Sequence, residues 1–342
     1  MDYRFKEKLK FMKRIFEIFT AVAVSIVFLS ACVDEVDPSD KEIQNNIMNA
    51  YMDLNYPNIE ADSSGIYIVD QTPGTGDQVE EGDYIQVEYL ITNLYGDISS
   101  FTSEDLAKQL GTYATNNYYG PIIWHVSSDD VYPGVNNLVE TMKEGGQATA
   151  IIAPWLLKDY SYTTYATSSI KKYTVKIDGI IKDIDAYEDN LLQNYSDEYY
   201  NSVDSLEDGF YFKMIEEGVH EDSDTITDGE YMKVNYVGRY LNGQVFDTNV
   251  ADTALKYGFY NDSNTYSNLS ITYYSDYDTM ISDGSSYVEG FIKALNQMDW
   301  GDHAVAFFHS DLAYGDSGNL SSNSGIPPFT PLCFEIWVAD EE

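Results

Sequence analysis

The sequence predicts an α+β fold in which two copies of one domain each pack an antiparallel sheet against a helix. A short pattern occurs twice: residues 64–67 read Ser-Gly-Ile-Tyr and residues 208–211 read Asp-Gly-Phe-Tyr. Each half then shows strand-like alternation after Gly-Asp-Tyr at 82–84 or Gly-Glu-Tyr at 229–231. Each half later carries an apolar pattern of helical spacing that a glycine ends. An internal duplication accounts for all of these observations.

The first 31 residues predict a signal peptide of the lipoprotein type. Basic side chains between Arg4 and Arg14 precede an apolar stretch over residues 18–31, which has the length of a signal sequence and is short for a membrane span. The stretch ends in Leu-Ser-Ala-Cys at residues 29–32, which resembles the lipobox that is cleaved before a lipidated cysteine. Cys32 is therefore the predicted lipidation site, and a lipid anchor would hold the mature chain at the membrane.

The residues after Cys32 indicate the cell envelope, with two interpretations open. Val-Asp-Glu-Val-Asp at residues 33–37 resembles the acidic stretch that directs lipoproteins of Bacteroidetes to the cell surface. A merely solvated tether is the other interpretation. We expect lipid anchoring to the outer membrane, on its periplasmic or its surface-exposed face.

The charge balance excludes nucleic acid as a partner. The chain has 19 basic and 57 acidic residues, which give a formal net charge of −38. A field of this sign repels DNA and RNA, because their binding depends on Lys and Arg.

Neither a metal nor a cofactor is predicted. The four histidines are scattered along the chain, and Asp222, Asp224 and Asp228 lack the spacing of an EF-hand loop. Cys32 and Cys333 are too few for a disulfide framework. The chemistry is therefore expected to need protein side chains and backbone alone.

The patterns divide the chain into five segments. Residues 1–31 are the signal peptide, 32–61 a tether with a short helix, 62–182 the first domain, 183–205 a linker helix and 206–342 the second domain. Each helix is predicted to bury one apolar face. These faces comprise Ile43, Ile47, Tyr51 and Leu54 in the first helix, and Ile184, Tyr187, Leu191 and Tyr195 in the second.

The second domain shows its elements most clearly. Residues 232–236 alternate between apolar and polar, and Asn242-Gly243 then predicts a type I′ turn with positive φ at both residues. One long helix is predicted from Val288, Phe291, Leu295 and Met298. The final strand is predicted to direct Leu332, Phe334, Ile336 and Val338 inward, and Cys333, Glu335 and Trp337 to the other face of a half-buried sheet.

Four ordered motifs of the second domain carry a family resemblance. They are Val-Asn-Tyr-Val-Gly-Arg-Tyr-Leu-Asn-Gly-Gln-Val-Phe-Asp-Thr at 234–248, Val-Glu-Gly-Phe at 288–291, Asp-Leu-Ala-Tyr-Gly at 311–315 and Gly-Ile-Pro-Pro at 325–328. Together they resemble the prolyl isomerase domain of the FKBP type. The resemblance implies an antiparallel half-barrel sheet wrapped on one α-helix in each domain, with isomerase activity in the second domain alone.

The resemblance also implies a pocket of eight residues. Asp247, Tyr314 and Phe246 would be catalytic, and Tyr236, Val288, Phe291, Ile326 and Phe334 would bind substrate. The Val288 N–H and the Tyr314 hydroxyl would hold the substrate's carbonyls, while Tyr236 would orient Asp247 beside the twisted carbonyl. Because an apolar cup would leave a carboxylate poorly solvated, Asp247→Ala is expected to leave stability equal or higher.

The chemistry of prolyl isomerisation suits such a cup. The barrier is lost amide resonance, roughly 18–20 kcal/mol, and no covalent bond breaks. The twisted amide has less charge separation than the planar amide, so apolar aromatic walls favour the transition state. Expected partners are proline-containing protein or peptide clients, and the pocket is expected to accept macrolide-type inhibitors. A folding assistant of the cell envelope is the leading interpretation; the alternative is a non-catalytic binding or scaffold lipoprotein.

Several positions depart from the family pattern. Phe291 stands where Trp is most frequent, and Tyr287 would narrow the entrance where a smaller residue is common. The stretch between Asp247 and Tyr287 is long and is interpreted as an inserted loop. The first domain has Ser-Ser-Phe-Thr at 99–102 in place of the Phe-Asp pair. It is predicted to be degenerate, with a role in spacing, dimerisation or client holding.

Overall fold

The computed structural model describes residues 40–127, 131–157, 170–219, 225–320 and 325–340. The predicted signal peptide, Cys32 and the acidic stretch lie outside these residues, as do Asp222 and Asp224. Within the described ranges, no helix has both the length and the apolar character that crossing a membrane requires.

Among the described residues, the helices and strands of the two domains follow one another in the same order, except that the second domain has one additional strand and one additional helix. The first domain and its leading helix comprise α1 (Asp40–Asn55), β1 (Tyr67–Thr72), β2 (Tyr84–Asn93), β3 (Ile98–Phe101), α2 (Glu104–Leu110), β4 (Ile122–His125), α3 (Pro133–Val139), β5 (Gln147–Ile152) and β6 (Lys171–Ile181). The second comprises α4 (Ile184–Tyr200), β7 (Ser205–Glu207), β8 (Phe210–Glu216), β9 (Tyr231–Tyr240), β10 (Val245–Thr248), α5 (Ala251–Tyr257), β11 (Leu269–Thr272), α6 (Tyr277–Asp283), α7 (Glu289–Leu295), β12 (His303–Phe308) and β13 (Leu332–Val338).

The two sheets share one strand order. The first runs β1-β5-β6-β2-β3, and the second runs β8-β12-β13-β9-β10 with the short β7 added beside β8. In addition, β4 pairs with β2 and β11 pairs with β9, and these pairings are antiparallel. The α+β class and the internal duplication are therefore confirmed.

The hairpin turn after β9 differs from its prediction. Gly243 has φ 85°, but Asn242 does not adopt positive φ, so the type I′ assignment is wrong. The Asn242 Oδ1 accepts a 2.9 Å hydrogen bond from the Gln244 N–H, and the Gly243 N–H donates to the Tyr240 carbonyl at 2.9 Å. One left-handed glycine closing a three-residue loop is the next most common hairpin geometry. Gly96, with φ 90°, closes the equivalent loop of the first domain.

Each sheet is covered on its inner face and partly covered on its outer face. The inner face of the second sheet packs on α7 around Phe291 and Leu295. Its outer face packs on the linker helix α4, where Leu192 contacts a buried cluster that includes Phe307 and Cys333. In the same way, α1 covers the back of the first sheet through Met48 and Met52. The helix before each domain therefore supplies a partial additional layer that the predicted half-buried sheet did not include.

The helix predictions need three corrections. Leu54 is 83% exposed, and the buried face of α1 is formed by Gln44, Met48 and Met52 instead. The predicted long helix is shorter, because α7 has only seven residues. The rest of its apolar pattern, up to Met298, lies in turns with i→i+3 hydrogen bonds. The stretch between Asp247 and Tyr287 is not simply a loop; it contains α5, β11 and α6.

Candidate active site

A cavity of about 240 Å³ lies in the second domain where β9, β10, α7 and β13 meet. Its lining residues are Tyr236, Phe246, Asp247, Leu269, Ser286, Tyr287, Val288, Phe291, Tyr314 and Phe334. Seven of the eight residues predicted from the sequence thus lie around one space.

The eighth, Ile326, is buried behind the cavity wall. It belongs to the same hydrophobic core but is not among the cavity's lining residues. Its N–H donates to the Asn319 carbonyl at 3.2 Å, and its carbonyl accepts from the Asn319 N–H at 2.7 Å. Ile326 therefore supports the wall through packing and through this isolated bridge.

The hairpin of β9 and β10 positions three of the lining side chains. Gly238 lies opposite Asp247 in the strand register. A Cβ atom at Gly238 would approach Phe246 Cζ to 2.6 Å, so only glycine leaves room for this ring. In the first domain, Ile91 and Ser100 form the register pair that matches Gly238 and Asp247. The larger side chain at Ile91 thus accompanies the loss of the Phe-Asp pair.

Phe334 lies at the centre of an aromatic cluster. Its ring centroid is 5.2 Å from that of Phe291, 5.7 Å from Phe246 and 5.9 Å from Phe308. Tyr236 also packs against Phe291, with the ring centroids 5.7 Å apart. Rings at these separations attract one another beyond simple area burial. One part of the cavity wall is consequently a packed aromatic cluster.

Asp247 lies at the rim of the cavity and is exposed. Its Oδ2 accepts a 2.6 Å hydrogen bond from the Tyr236 hydroxyl, and its Oδ1 accepts a 2.9 Å bond from the Thr248 N–H. The expectation of a desolvated carboxylate inside an apolar cup is therefore wrong, because the side chain reaches solvent and has two donors. Its position beside the apolar wall still allows contact with a bound peptide.

The hydroxyl groups of Tyr236 and Tyr314 remain neutral donors. Burial raises the pKa of the Tyr236 hydroxyl, and the neighbouring Asp247 raises it further. Burial likewise raises the pKa of Tyr314, which also lies near Asp247. Both hydroxyl groups therefore keep their protons at physiological pH and can donate hydrogen bonds.

Two further lining residues, Leu269 and Ser286, were not assigned from the sequence. Leu269 lies on β11, within the stretch interpreted as a loop, and Ser286 precedes Tyr287. The alternation of Leu269 and Ile271 is a strand signal that could have located β11. The ring of Tyr287 lies 6.0 Å from that of Phe291, which places Tyr287 on the cavity wall.

The first domain contacts the hairpin of the site. Gln244 Nε2 donates to the carbonyl oxygens of Thr115, at 3.0 Å, and Asn117, at 2.7 Å. The ring of Tyr118 lies 5.2 Å from that of Tyr240 and packs against the hydrophobic cores of both domains. The interface therefore stabilises the hairpin that carries Phe246 and Asp247.

The comparison with known families agrees with this geometry. Residues 222–339 match the family described as FKBP-type peptidyl-prolyl cis-trans isomerase. The C-terminal domain is an FKBP-type domain. Over 125 residues, the chain is 25% identical to the peptidyl-prolyl cis-trans isomerase Mip of Chlamydia muridarum. That match covers 36% of this chain and 38% of the relative's length.

Among solved structures, the chain is similar to the three FKBP domains of wheat FKBP73. The identity is 14%, the TM-score is 0.29, and the match covers 81% of this chain and 95% of that chain. FkpA from Escherichia coli is 17% identical with a TM-score of 0.31, over 49% of this chain and 71% of that chain.

Proposed function

We propose that the protein is a peptidyl-prolyl cis-trans isomerase whose second domain rotates X-Pro amides in the aromatic cavity. The observation that carries this proposal is the joint position of Phe246, Phe291 and Phe334 around one space, with the Tyr236–Asp247 pair at its rim. The proline ring would lie against the three phenylalanines. Substrates would be proline-containing segments of proteins or peptides.

The cavity favours the twisted amide over the planar one. Rotation removes the resonance that separates charge across the amide, so the transition state is better matched to apolar walls than the ground state. The Tyr314 hydroxyl and the Val288 N–H would hold carbonyl groups of the peptide. Asp247, oriented by the Tyr236 hydroxyl, would lie beside the rotating carbonyl.

A protease-coupled isomerisation assay on the purified protein tests this function. We expect the wild-type chain to accelerate cis-to-trans exchange, which otherwise takes tens to hundreds of seconds. The matched pair of variants is Phe246→Ser in the second domain and Ser99→Ala in the first. Loss of turnover in the former and retention in the latter would assign activity to the second domain, whereas no acceleration by the wild type would refute the proposal.

Tyr287 favours a second candidate function, that of a non-catalytic binding protein. Its side chain stands on the cavity wall beside Phe291 and narrows the space available to a peptide. If the wild type binds proline peptides without turning them over, and Tyr287→Val restores turnover, the binding function would be the better description. Equal turnover by both proteins would favour the isomerase.

We infer an envelope location from the sequence before residue 40. A lipid on Cys32 would anchor the chain to the outer membrane and leave both domains free to meet clients. Detergent phase partitioning of the wild type and Cys32→Ser tests this. The variant should move to the aqueous phase, and unchanged partitioning would exclude the anchor.

A further inference from the structure

A buried carboxylate on the linker helix contacts the segment that leads to Tyr314. Glu188 lies on α4, outside the residues that match the FKBP family, and is only 3% exposed. Its Oε2 accepts a 2.7 Å hydrogen bond from the Ser310 N–H, and its Oε1 accepts a 2.7 Å bond from the Ser310 hydroxyl. Two hydrogen bonds from one carboxyl group to the N–H and the hydroxyl of the same residue fix the position of Ser310.

Ser310 in turn holds both neighbours of Tyr314. Its carbonyl oxygen accepts hydrogen bonds from the N–H groups of Ala313 and Gly315, both at 2.8 Å. Tyr314 lies between these two residues, and its side chain lines the cavity. A continuous series of contacts therefore runs from Glu188 through Ser310 to the backbone on either side of Tyr314.

The helix that carries Glu188 is itself fixed to the domain. Leu192 and Tyr195 of α4 pack behind the second sheet, where the ring of Tyr195 lies 5.2 Å from that of Phe307. The Tyr195 hydroxyl also contacts Cys333 Sγ at 3.4 Å. A side chain presented from such a packed helix can hold a loop more precisely than one on a mobile segment.

We propose that Glu188 is a positioning residue for Tyr314 and that the linker helix is part of the support of the active site. This inference rests on the proposed function, since Tyr314 matters there as a donor to the peptide. It assigns to α4 a role beyond joining the two domains. Glu188 touches no substrate and acts only through Ser310 and the Tyr314 loop.

Three variants of the full chain separate geometry from charge. Glu188→Ala removes both acceptors of Ser310, and we expect kcat/KM to fall about 10- to 100-fold as Tyr314 is displaced. Glu188→Gln should retain most activity, because its amide oxygen can accept from the Ser310 N–H while its NH₂ donates to the Ser310 hydroxyl. Ser310→Ala keeps the backbone contact and should lie between them. The matched control is Asp197→Ala, an exposed carboxylate on the same helix.

A double-mutant cycle distinguishes positioning from a general loss of stability. In a Tyr314→Phe background the hydroxyl that Glu188 positions is absent, so Glu188→Ala should then change kcat/KM by less than about twofold. A similar loss of activity in both backgrounds would overturn the proposal. Should Glu188→Ala fail to fold, the same cycle with Ser310→Ala applies.

Amide hydrogen exchange tests the contact without reference to activity. The N–H groups of Ala313 and Gly315 should exchange faster in Glu188→Ala than in the wild type and remain unchanged in Asp197→Ala. Equal exchange in all three proteins would overturn the inference. A wild type with no isomerase activity would instead refute the proposed function, and the exchange result would still judge whether Glu188 holds the loop.

Discussion

The Tyr236 hydroxyl donates a 2.6 Å hydrogen bond to Asp247. The equivalent residues of the first domain are Tyr89 and Ser100, whose hydroxyl oxygens lie 3.1 Å apart in a hydrogen bond. The duplicated fold has thus kept the contact while a hydroxyl replaced the carboxylate. The ring of Trp124 stacks on that of Tyr89, with the ring centroids 5.3 Å apart. In the second domain, Ile271 on β11 occupies the register position that Trp124 has on β4. The first domain therefore retains the backbone arrangement of the site but carries different side chains at these positions.

Asp247→Ala should lower kcat/KM and slightly reduce stability. The exposed carboxylate carries no large desolvation cost that its removal could relieve, whereas the Tyr236 hydroxyl would lose its acceptor. We expect a cost of about 1 kcal/mol in the free energy of unfolding, as for other single hydrogen bonds. Denaturant titration and the isomerase assay measure the two effects. Ser100→Ala is the matched control and should leave turnover unchanged; a clearly stabilised Asp247→Ala protein would contradict this account of the rim.

Phe334→Ala should remove both turnover and much of the domain's stability. Its ring is 6% exposed and contacts the rings of Phe246, Phe291 and Phe308, so truncation opens a cavity in the core. Buried aromatic truncations cost about 3–5 kcal/mol. Thermal melting and the isomerase assay should both report the change.

The equivalent truncation in the first domain separates the two effects of Phe334→Ala. Tyr173 occupies the register position of Phe334 and is also buried. Tyr173→Ala should destabilise its own domain and leave the chemistry of the second intact. Equal loss of turnover in both folded variants would mean that the aromatic cluster around Phe334 contributes only to packing and has no part in turnover.

Strand alternation and the repeated motifs predicted the fold class and the duplication, because both depend on local spacing. The seven cavity residues came instead from the resemblance of four ordered motifs to the FKBP-type domain. The sequence did not predict that Asp247 is exposed, since the exposure of one side chain depends on tertiary packing that has no periodic signal in the sequence. The position of Ile326 behind the wall depends on its bridge with Asn319, a contact with no periodic signal. The turn at Asn242 was misassigned because its side chain competes for the Gln244 N–H, which favours a different loop from the one its dipeptide suggests.

Glu188 should give the protein a pH-dependent stability that Glu188→Gln lacks. Burial raises the pKa of the Glu188 carboxyl, with Asp311 adding to this, while the Ser310 hydrogen bonds and His309 oppose it. Because the folded pKa lies above the unfolded one, the protonated acid is favoured by folding. This stability is fully present below the unfolded pKa and is lost as pH rises through the folded pKa. Relative to the wild type, the melting temperature of Glu188→Gln should therefore increase between pH 4 and pH 7, and a constant difference would contradict the direction of the shift.

Gln244→Ala combined with Tyr118→Ala should uncouple the two domains. The first substitution removes the donors to the Thr115 and Asn117 carbonyls, and the second removes the ring that packs on Tyr240. Each lost hydrogen bond should cost about 1 kcal/mol, and the buried edge of the Tyr118 ring adds to this. Because the interface stabilises the hairpin that bears Phe246 and Asp247, the second domain should melt at a lower temperature and kcat/KM should fall.

Calorimetry would show whether the single unfolding transition of the wild type becomes two transitions in the double variant. Gln297→Ala, an exposed glutamine of the second domain, is the control and should change neither quantity. An unaltered melting profile in the double variant would show that the first domain does not support the hairpin, and its role would then be sought in spacing or in client holding.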